Sequence, residues 1–152
     1  MDSFQKLETY LTHHGLKMTM QRKIILETME LIPYHMTLDE LLTSVQKHRP
    51  GVGQATIYRT MKLFVGAKIV EEHRFDDGIT RYEIREEGEH HDHLICLSCG
   101  HIIEFEDDLI EQRQNLIAEQ LGIRITTHKM ELYGHCIEQD SCEERQREFK
   151  KG

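Results

Sequence analysis

The chain has 152 residues, 38% of them hydrophobic, with no tryptophan and 7% aromatics, which bounds it to one ordinary domain or two small ones with modest cores. No apolar run approaches membrane-spanning length and the opening residues lack the shape of a signal peptide, so a cytoplasmic location without a membrane partner is expected, where paired cysteines read as metal ligands rather than disulfides. The net charge of −8 is uneven: residues 1–84 carry 11 Lys+Arg and 11 Asp+Glu, and residues 85–152 carry the other 8 and 16. All the excess acid lies in the second half, where bound divalent cations would offset it, and the charge step marks a domain boundary near Arg85 to Glu89.

Apolar spacing at Leu7, Tyr10 and Leu11 predicts a first helix over Ser3 to Leu16, with Gly15 near its end. Thr19 is the expected N-cap of a second helix, which buries Ile24, Ile25 and Met29, runs to Leu31 and is stopped by Pro33. Thr37-Leu38-Asp39-Glu40 is a capping box opening a third helix, with Leu38, Leu41, Leu42 and Val45 on one face and a break at Pro50-Gly51. A fourth helix, Gln54 to Val65, follows Gly53 and ends at Gly66. Its seam of Ile57, Met61 and Phe64 leaves Ala55, Arg59 and Lys62 opposite, flanked by Thr56 and Tyr58. Lys68 to Phe75, the turn Asp76-Asp77-Gly78 and Ile79 to Ile84 then read as a β-hairpin. Short helices followed by a two-stranded hairpin make a winged helix-turn-helix with the fourth helix in the recognition role. On charge alone that helix is equally a packing helix with a solvated basic face; the hairpin tips the reading to DNA.

Residues 1–84 are therefore the expected DNA-binding domain, 85–90 a hinge, and 91–152 a second domain. The pattern there predicts a strand over His93 to Cys96, a tight turn at Ser98-Cys99-Gly100, a strand over His101 to Phe105, and a helix over Asp107 to Leu121 ended by Gly122. A long strand, Ile123 to Tyr133, follows, and then a charged tail with a short helix. The expected class is α+β, and a small antiparallel sheet with one helix has open edges that favour dimerisation.

The densest chemistry is His90-His91-Asp92-His93-Leu94-Ile95-Cys96-Leu97-Ser98-Cys99-Gly100, with Glu104 just beyond. Imidazole, thiolate and carboxylate are the ligands of first-row metals. On a strand, His91 and His93 share one face while His90 and Asp92 share the other. One strand can thus feed two nitrogen-and-oxygen sites, and Cys96-x-x-Cys99 a third, softer one; Cys136 and Cys142 are the other two cysteines. A catalytic zinc site in a hydrolase is the rival from another class, against which no candidate nucleophile accompanies the cluster.

Ala55-Thr56-Ile57-Tyr58-Arg59-Thr60, the stretch from His90 to Gly100, and Tyr133-Gly134-His135-Cys136 together resemble the ferric uptake regulator (Fur) family of metal-dependent repressors, over nearly the whole chain. The resemblance implies a winged helix, a hinge, an α/β dimerisation domain, and repression of iron-uptake genes by the metal-bound dimer. It implies a structural zinc on Cys96, Cys99, Cys136 and Cys142, although five residues separate the last two where members more often have fewer. It implies a regulatory site of His35, Glu83, His91, His93 and Glu104, and a third site of His90, Asp92, Glu111 and His128. Iron(II) is the implied regulatory metal, with manganese(II) or zinc as substitutes. DNA contact falls to Lys17, Thr56, Tyr58 and Arg59 on an AT-rich palindromic operator, bound by a homodimer or, as the alternative assembly, a tetramer. A peroxide-sensing branch shares the fold and sites but usually places aspartate where Glu104 stands, so the iron sensor is favoured. His13, His14, His48 and His73 are expected at the surface, while His101 and His135 flank the thiolates as candidate partners of the ligands.

Overall fold

The computed structural model describes residues 1–33, 35–86, 88, 90–138 and 140. The chain divides into two compact units, Met1–Glu87 and Gly88–Gly152. In the first, four helices, α1 (Ser3–His13), α2 (Met20–Glu30), α3 (Leu38–Gln46) and α4 (Gln54–Gly66), precede an antiparallel hairpin of β1 (Val70–Arg74) and β2 (Thr80–Ile84). Their starts are set by local side-chain chemistry. Asp2 and Thr37 form capping boxes with Gln5 and Glu40, and the Thr19 hydroxyl accepts from the Arg22 amide, each satisfying amides that the first turn would leave open. α1 stops at His13 instead of running to Leu16. Gly15 takes a φ of 64° and the Leu16 amide turns back to the Leu11 carbonyl at 2.8 Å, a left-handed ending that glycine permits without strain.

The apolar faces of the four helices meet in one core built around Leu7, Leu11, Ile25, Met29, Leu41, Val45, Ile57, Met61 and Phe64, and the hairpin adds Val70 and Tyr82. Each such side chain contributes about 1.5–3 kcal/mol on burial. That fixes which face of α4 turns inward and leaves Tyr58, Arg59 and Lys62 outward. The unit is a winged helix-turn-helix. One further pairing positions a site: Met36, just before α3, bridges antiparallel to Tyr82 through amide-to-carbonyl hydrogen bonds of 2.9 and 2.7 Å. The segment ahead of α3 thus lies along β2 on the side away from β1.

The second unit contains β3 (Asp92–Cys96), β4 (Ile102–Phe105), α5 (Asp108–Gln120) and β5 (Glu131–Gly134), with the strands in the order β4-β3-β5. Two expectations are corrected here. β5 pairs parallel to β3, not antiparallel, because α5 and the residues after it carry the chain back before β5 begins, the crossover that parallel pairing requires. The strand expected over Ile123 to Tyr133 is confined to Glu131–Gly134. Residues 123–129 pair with no strand among the described residues, and only the Met130 carbonyl, just ahead of β5, accepts from the His93 amide at 3.0 Å; the β-preference of Ile and Thr is realised only against a partner. α5 opens as expected, the Asp107 carboxylate accepting from the Leu109 and Ile110 amides, and its end is followed by Gly122 at a φ of 77°.

Little of this unit is buried. No residue of α5 is, and the cross-strand neighbours Leu132, Leu94 and Ile103 all remain exposed. The tail with its expected short helix lies largely outside the described residues. No helix among them is long and apolar enough to cross a membrane.

Candidate metal centres and nucleic-acid interface

The tight turn after β3 brings Cys96 and Cys99 together, and β5, parallel to β3, delivers Cys136 beside them. The Cys96 and Cys136 sulfurs are 3.4 Å apart, and those of Cys99 and Cys136 4.0 Å. Thiolates at about 2.3 Å from a tetrahedral zinc stand about 3.8 Å from one another, so the three sulfurs fit that geometry. Burial raises the Cys96 thiol pKa, but amides of Cys99, Ser98 and Cys136 and the Cys136 thiol outweigh it and bring it down to about 6. That favours the thiolate that a metal needs. His135, expected near the thiolates, has Nδ1 at 2.7 Å from the Ser98 hydroxyl in the same turn. Cys142 lies outside the described residues.

On the face of β3 away from His93, Asp92 meets His128, His90 and Glu111. The Asp92 carboxylate lies 3.0 Å from His128 Nε2, which is 3.2 Å from Glu111 and 2.9 Å from His90 Nε2. His90 Nε2 is in turn 3.5 Å from Asp92 and 3.9 Å from Glu111. Four donors at about 2.1 Å from a tetrahedral cation would stand about 3.4 Å apart, in the middle of this range. Asp92 is only 1% exposed, and its Oδ2 has no hydrogen-bond partner among the described residues. A buried carboxylate oxygen left so is costly unless a cation meets it. The donor set therefore fits a divalent metal.

A third set of donors lies within the first unit. The Met36–Tyr82 bridge sets His35 opposite Glu83, on the face of β2 away from the core side chain of Tyr82. His35 Nε2 is 3.0 Å from Glu83 Oε2. His35 is buried although it follows Pro33 in a stretch where a histidine is ordinarily solvated; the bridge is the reason. His73, expected at the surface, is a correction. Its side chain is largely buried, with Nε2 at 2.7 Å from Glu83 Oε1 and 3.5 Å from Glu71. The hairpin register carried the missed signal, since Glu71 pairs with Glu83 and His73 is two residues along the same face.

In the second unit, His93 pairs with Glu104 across β3 and β4. Glu104 has one oxygen 3.9 Å from His93 Nε2 and the other 3.8 Å from His91 Nε2. These separations are too long for hydrogen bonds and lie within the span, about 3.0 to 4.2 Å, of two donors sharing one cation.

The outward side of α4 carries the residues expected to contact DNA. Tyr58 is half exposed and Arg59 exposed, while Thr56 is half-buried. Thr56 and Arg59 join Thr19, Gln21 and Arg22 in lining a cleft of about 220 Å³ between α4 and the start of α2. Lys17 is exposed just before α2, and its carbonyl accepts from the Arg22 guanidinium. Lys62 lies 5.5 Å from the Tyr58 ring and pairs with Glu72 of β1 at 3.1 Å, so the hairpin braces the helix.

The profile of the Ferric uptake regulator family matches residues 13–133. The Ferric uptake regulation protein of Escherichia coli (strain K12) is 44% identical over 137 residues, 90% of this chain and 92% of that protein. Among solved structures, the Vibrio cholerae ferric uptake regulator, whose crystal structure reveals structural rearrangement of the DNA-binding domains, has 41% identity and a TM-score of 0.71, covering 83% of this chain and 96% of that one. The Helicobacter pylori ferric uptake regulator, whose structure reveals three functional metal binding sites, has 28% identity and a TM-score of 0.84, covering 93% and 91%.

Proposed function

Because this chain belongs to the ferric uptake regulator family, we propose that it is an iron(II)-dependent repressor of iron-uptake genes, acting in the cytoplasm as a homodimer on an AT-rich palindromic operator. The observation that carries the reading is one chain joining a winged helix, with Tyr58 and Arg59 outward, to separate convergences of metal-ligand side chains. Members of the family are regulators of transcription, which favours this reading over a zinc hydrolase.

Each donor set has its own part. Cys96, Cys99 and Cys136, completed by Cys142, form a soft, closed set that suits a lasting structural zinc. His90, Asp92, Glu111 and His128 hold a further cation. His35 and Glu83 of the first unit act together with His91, His93 and Glu104 of the second as the regulatory ligands. A bound divalent cation supplies the positive charge that lets two carboxylates and three imidazoles converge. Since the five donors are divided between the units, they favour the one mutual placement in which all of them reach, and differential affinity between placements becomes the switch. Nitrogen and oxygen donors without thiolate hold iron(II) weakly enough to release it when iron is scarce, and accept manganese(II) or zinc in its place. Glu104, where the peroxide-sensing branch usually has aspartate, supports the iron-sensing reading.

The exposed ladder of Leu132, Leu94 and Ile103 and the uncovered α5 support a second copy as partner. Two copies present two α4 helices to the half-sites of a palindrome, with Lys17 reaching an adjacent minor groove; association of dimers into a tetramer is the alternative assembly. The test is binding to an AT-rich palindromic duplex while manganese(II) is titrated in. The wild type should bind only when loaded. His91→Ala should lose this activation yet keep its zinc content and its mass on size exclusion, because the two donor sets share no residue. Equal binding in the presence of a chelator would overturn the reading.

A further inference from the structure

We propose that His73 is a ligand of the regulatory cation, so that the winged-helix unit supplies three donors, His35, His73 and Glu83. This rests on the regulatory role given above to His35 and Glu83. The ligand atoms of the three residues lie within 4.8 Å of one another, and backbone pairing makes that convergence unavoidable. Glu83 sits in β2 with the Met36 segment on one side and β1 on the other. His35 stands opposite it on the first side, and His73 is diagonal to it on the second. Same-face neighbours on adjacent strands have Cβ atoms about 4.5–8 Å apart, a gap that imidazole and carboxylate arms close from both sides.

The chemistry of the three fits as well as their placement. Two imidazoles and one carboxylate are the set that holds iron(II) in many proteins while leaving positions open for further ligands. Each oxygen of Glu83 faces a different ring, Oε2 towards His35 at 3.0 Å and Oε1 towards His73 at 2.7 Å. The rings are also held in place. Phe75, itself buried, stacks on His73 with an interplanar angle of 6° and meets His35 edge-on at 6.3 Å. A solvated surface histidine has no such packing. With His73 in the set, both strands of the wing and the segment before α3 share one ion, so occupancy reaches the hairpin that braces α4.

The competing role for His73 is to orient Glu83 without touching the metal. Glutamine separates the two, because its amide can still donate to Glu83 but is a poor ligand. The experiment uses the full-length zinc-loaded protein in a His128→Ala background, which removes the other nitrogen-and-oxygen set. Manganese(II) affinity is read from the free-ion electron paramagnetic resonance signal, and coordination from the ligand-field absorption of cobalt(II). A ligand role predicts that His73→Ala and His73→Gln both weaken manganese(II) binding by about 100-fold or more, beyond the usual effect of losing an orienting partner. Both should also shift the cobalt(II) bands. Recovery of affinity and spectrum in His73→Gln would overturn the proposal and leave His73 a positioning residue, as would unchanged binding in His73→Ala. His35→Ala, run alongside, separates the two failures. If it too leaves manganese(II) affinity intact, the regulatory reading has failed, and the ligand role of His73 with it.

Discussion

Arg59 is the cation of the α4 surface that pairs with no acid among the described residues. Lys62 is engaged by Glu72 and Arg22 by the Lys17 carbonyl, whereas Arg59 has no ion-pair partner among the described residues and borders a cleft. A guanidinium placed so can give a bidentate contact to a guanine edge. Arg59→Ala should therefore weaken operator binding by about 1–3 kcal/mol and blunt discrimination between operator and random DNA. The check is competitive binding at two salt concentrations. A uniform loss across sequences with a shallower salt slope would move Arg59 to the phosphate backbone. The outward side of this helix was legible in the sequence, because three apolar residues at helical spacing determine which side faces the solvent. His73 was not. A lone histidine in a hairpin defaults to solvent, and only the register shows that Glu83 and Phe75 claim it.

The wing shows how much a short element depends on its turn. Asp77 accepts from the Ile79 amide at 3.0 Å and from the Arg81 guanidinium at 2.8 Å. Burial pushes the Asp77 carboxyl pKa up, but Arg81 and the Ile79 amide outweigh it, so the folded value lies below the ordinary 3.8. A depressed folded value means that the contribution is present above the ordinary value and lost as pH falls through the folded one. Asp77→Asn removes the charged acceptor from a buried guanidinium and should destabilise the first unit by about 1–2 kcal/mol at pH 7. The gap between the two proteins should narrow as pH falls below the ordinary carboxylate value of 3.8, as seen by urea unfolding at pH 7 and in acid. The hairpin itself was readable from Asp-Gly between alternating runs. The direction of β5 was not, since alternation has period two whichever way a strand runs; the crossover through α5 decides it. Residues 123–129 misled for a related reason, as β-forming residues make a strand only where another strand receives them.

At the level of the whole molecule, the described residues of the second unit bury little core of their own, and in the proposed assembly zinc and a second copy would supply what is missing. Cys96→Ser leaves an incomplete thiolate set. Structural zinc contributes on the order of 10 kcal/mol to the folding of small domains, so the variant should lose both its zinc and its dimer. Metal analysis and size exclusion read the two losses directly, and a zinc-free dimer of normal stability would count against the assignment. The charge step and the alternation at residues 90–93 already pointed to acid-rich, metal-binding chemistry on two faces of one strand. Glu111 and His128 could not be found that way, because nothing in local spacing ties a helix residue and a loop residue to β3. They came from the family resemblance, and their convergence on Asp92 depends on tertiary contacts that no periodicity encodes.

The Met36–Tyr82 bridge has a kinetic consequence. Two backbone hydrogen bonds hold the segment carrying His35 against β2, and each contributes about 0.5–1.5 kcal/mol net. Local opening of that segment is therefore far cheaper than unfolding the core beneath it. With His35 among the ligands, parting of these two hydrogen bonds would withdraw one donor from the ion without unfolding the core. The Met36 and Tyr82 amides would then exchange with solvent faster than those of the buried helices, and slow down when the metal is bound. A sensor pinned in this way could loosen its hold on the ion while α4 stays folded.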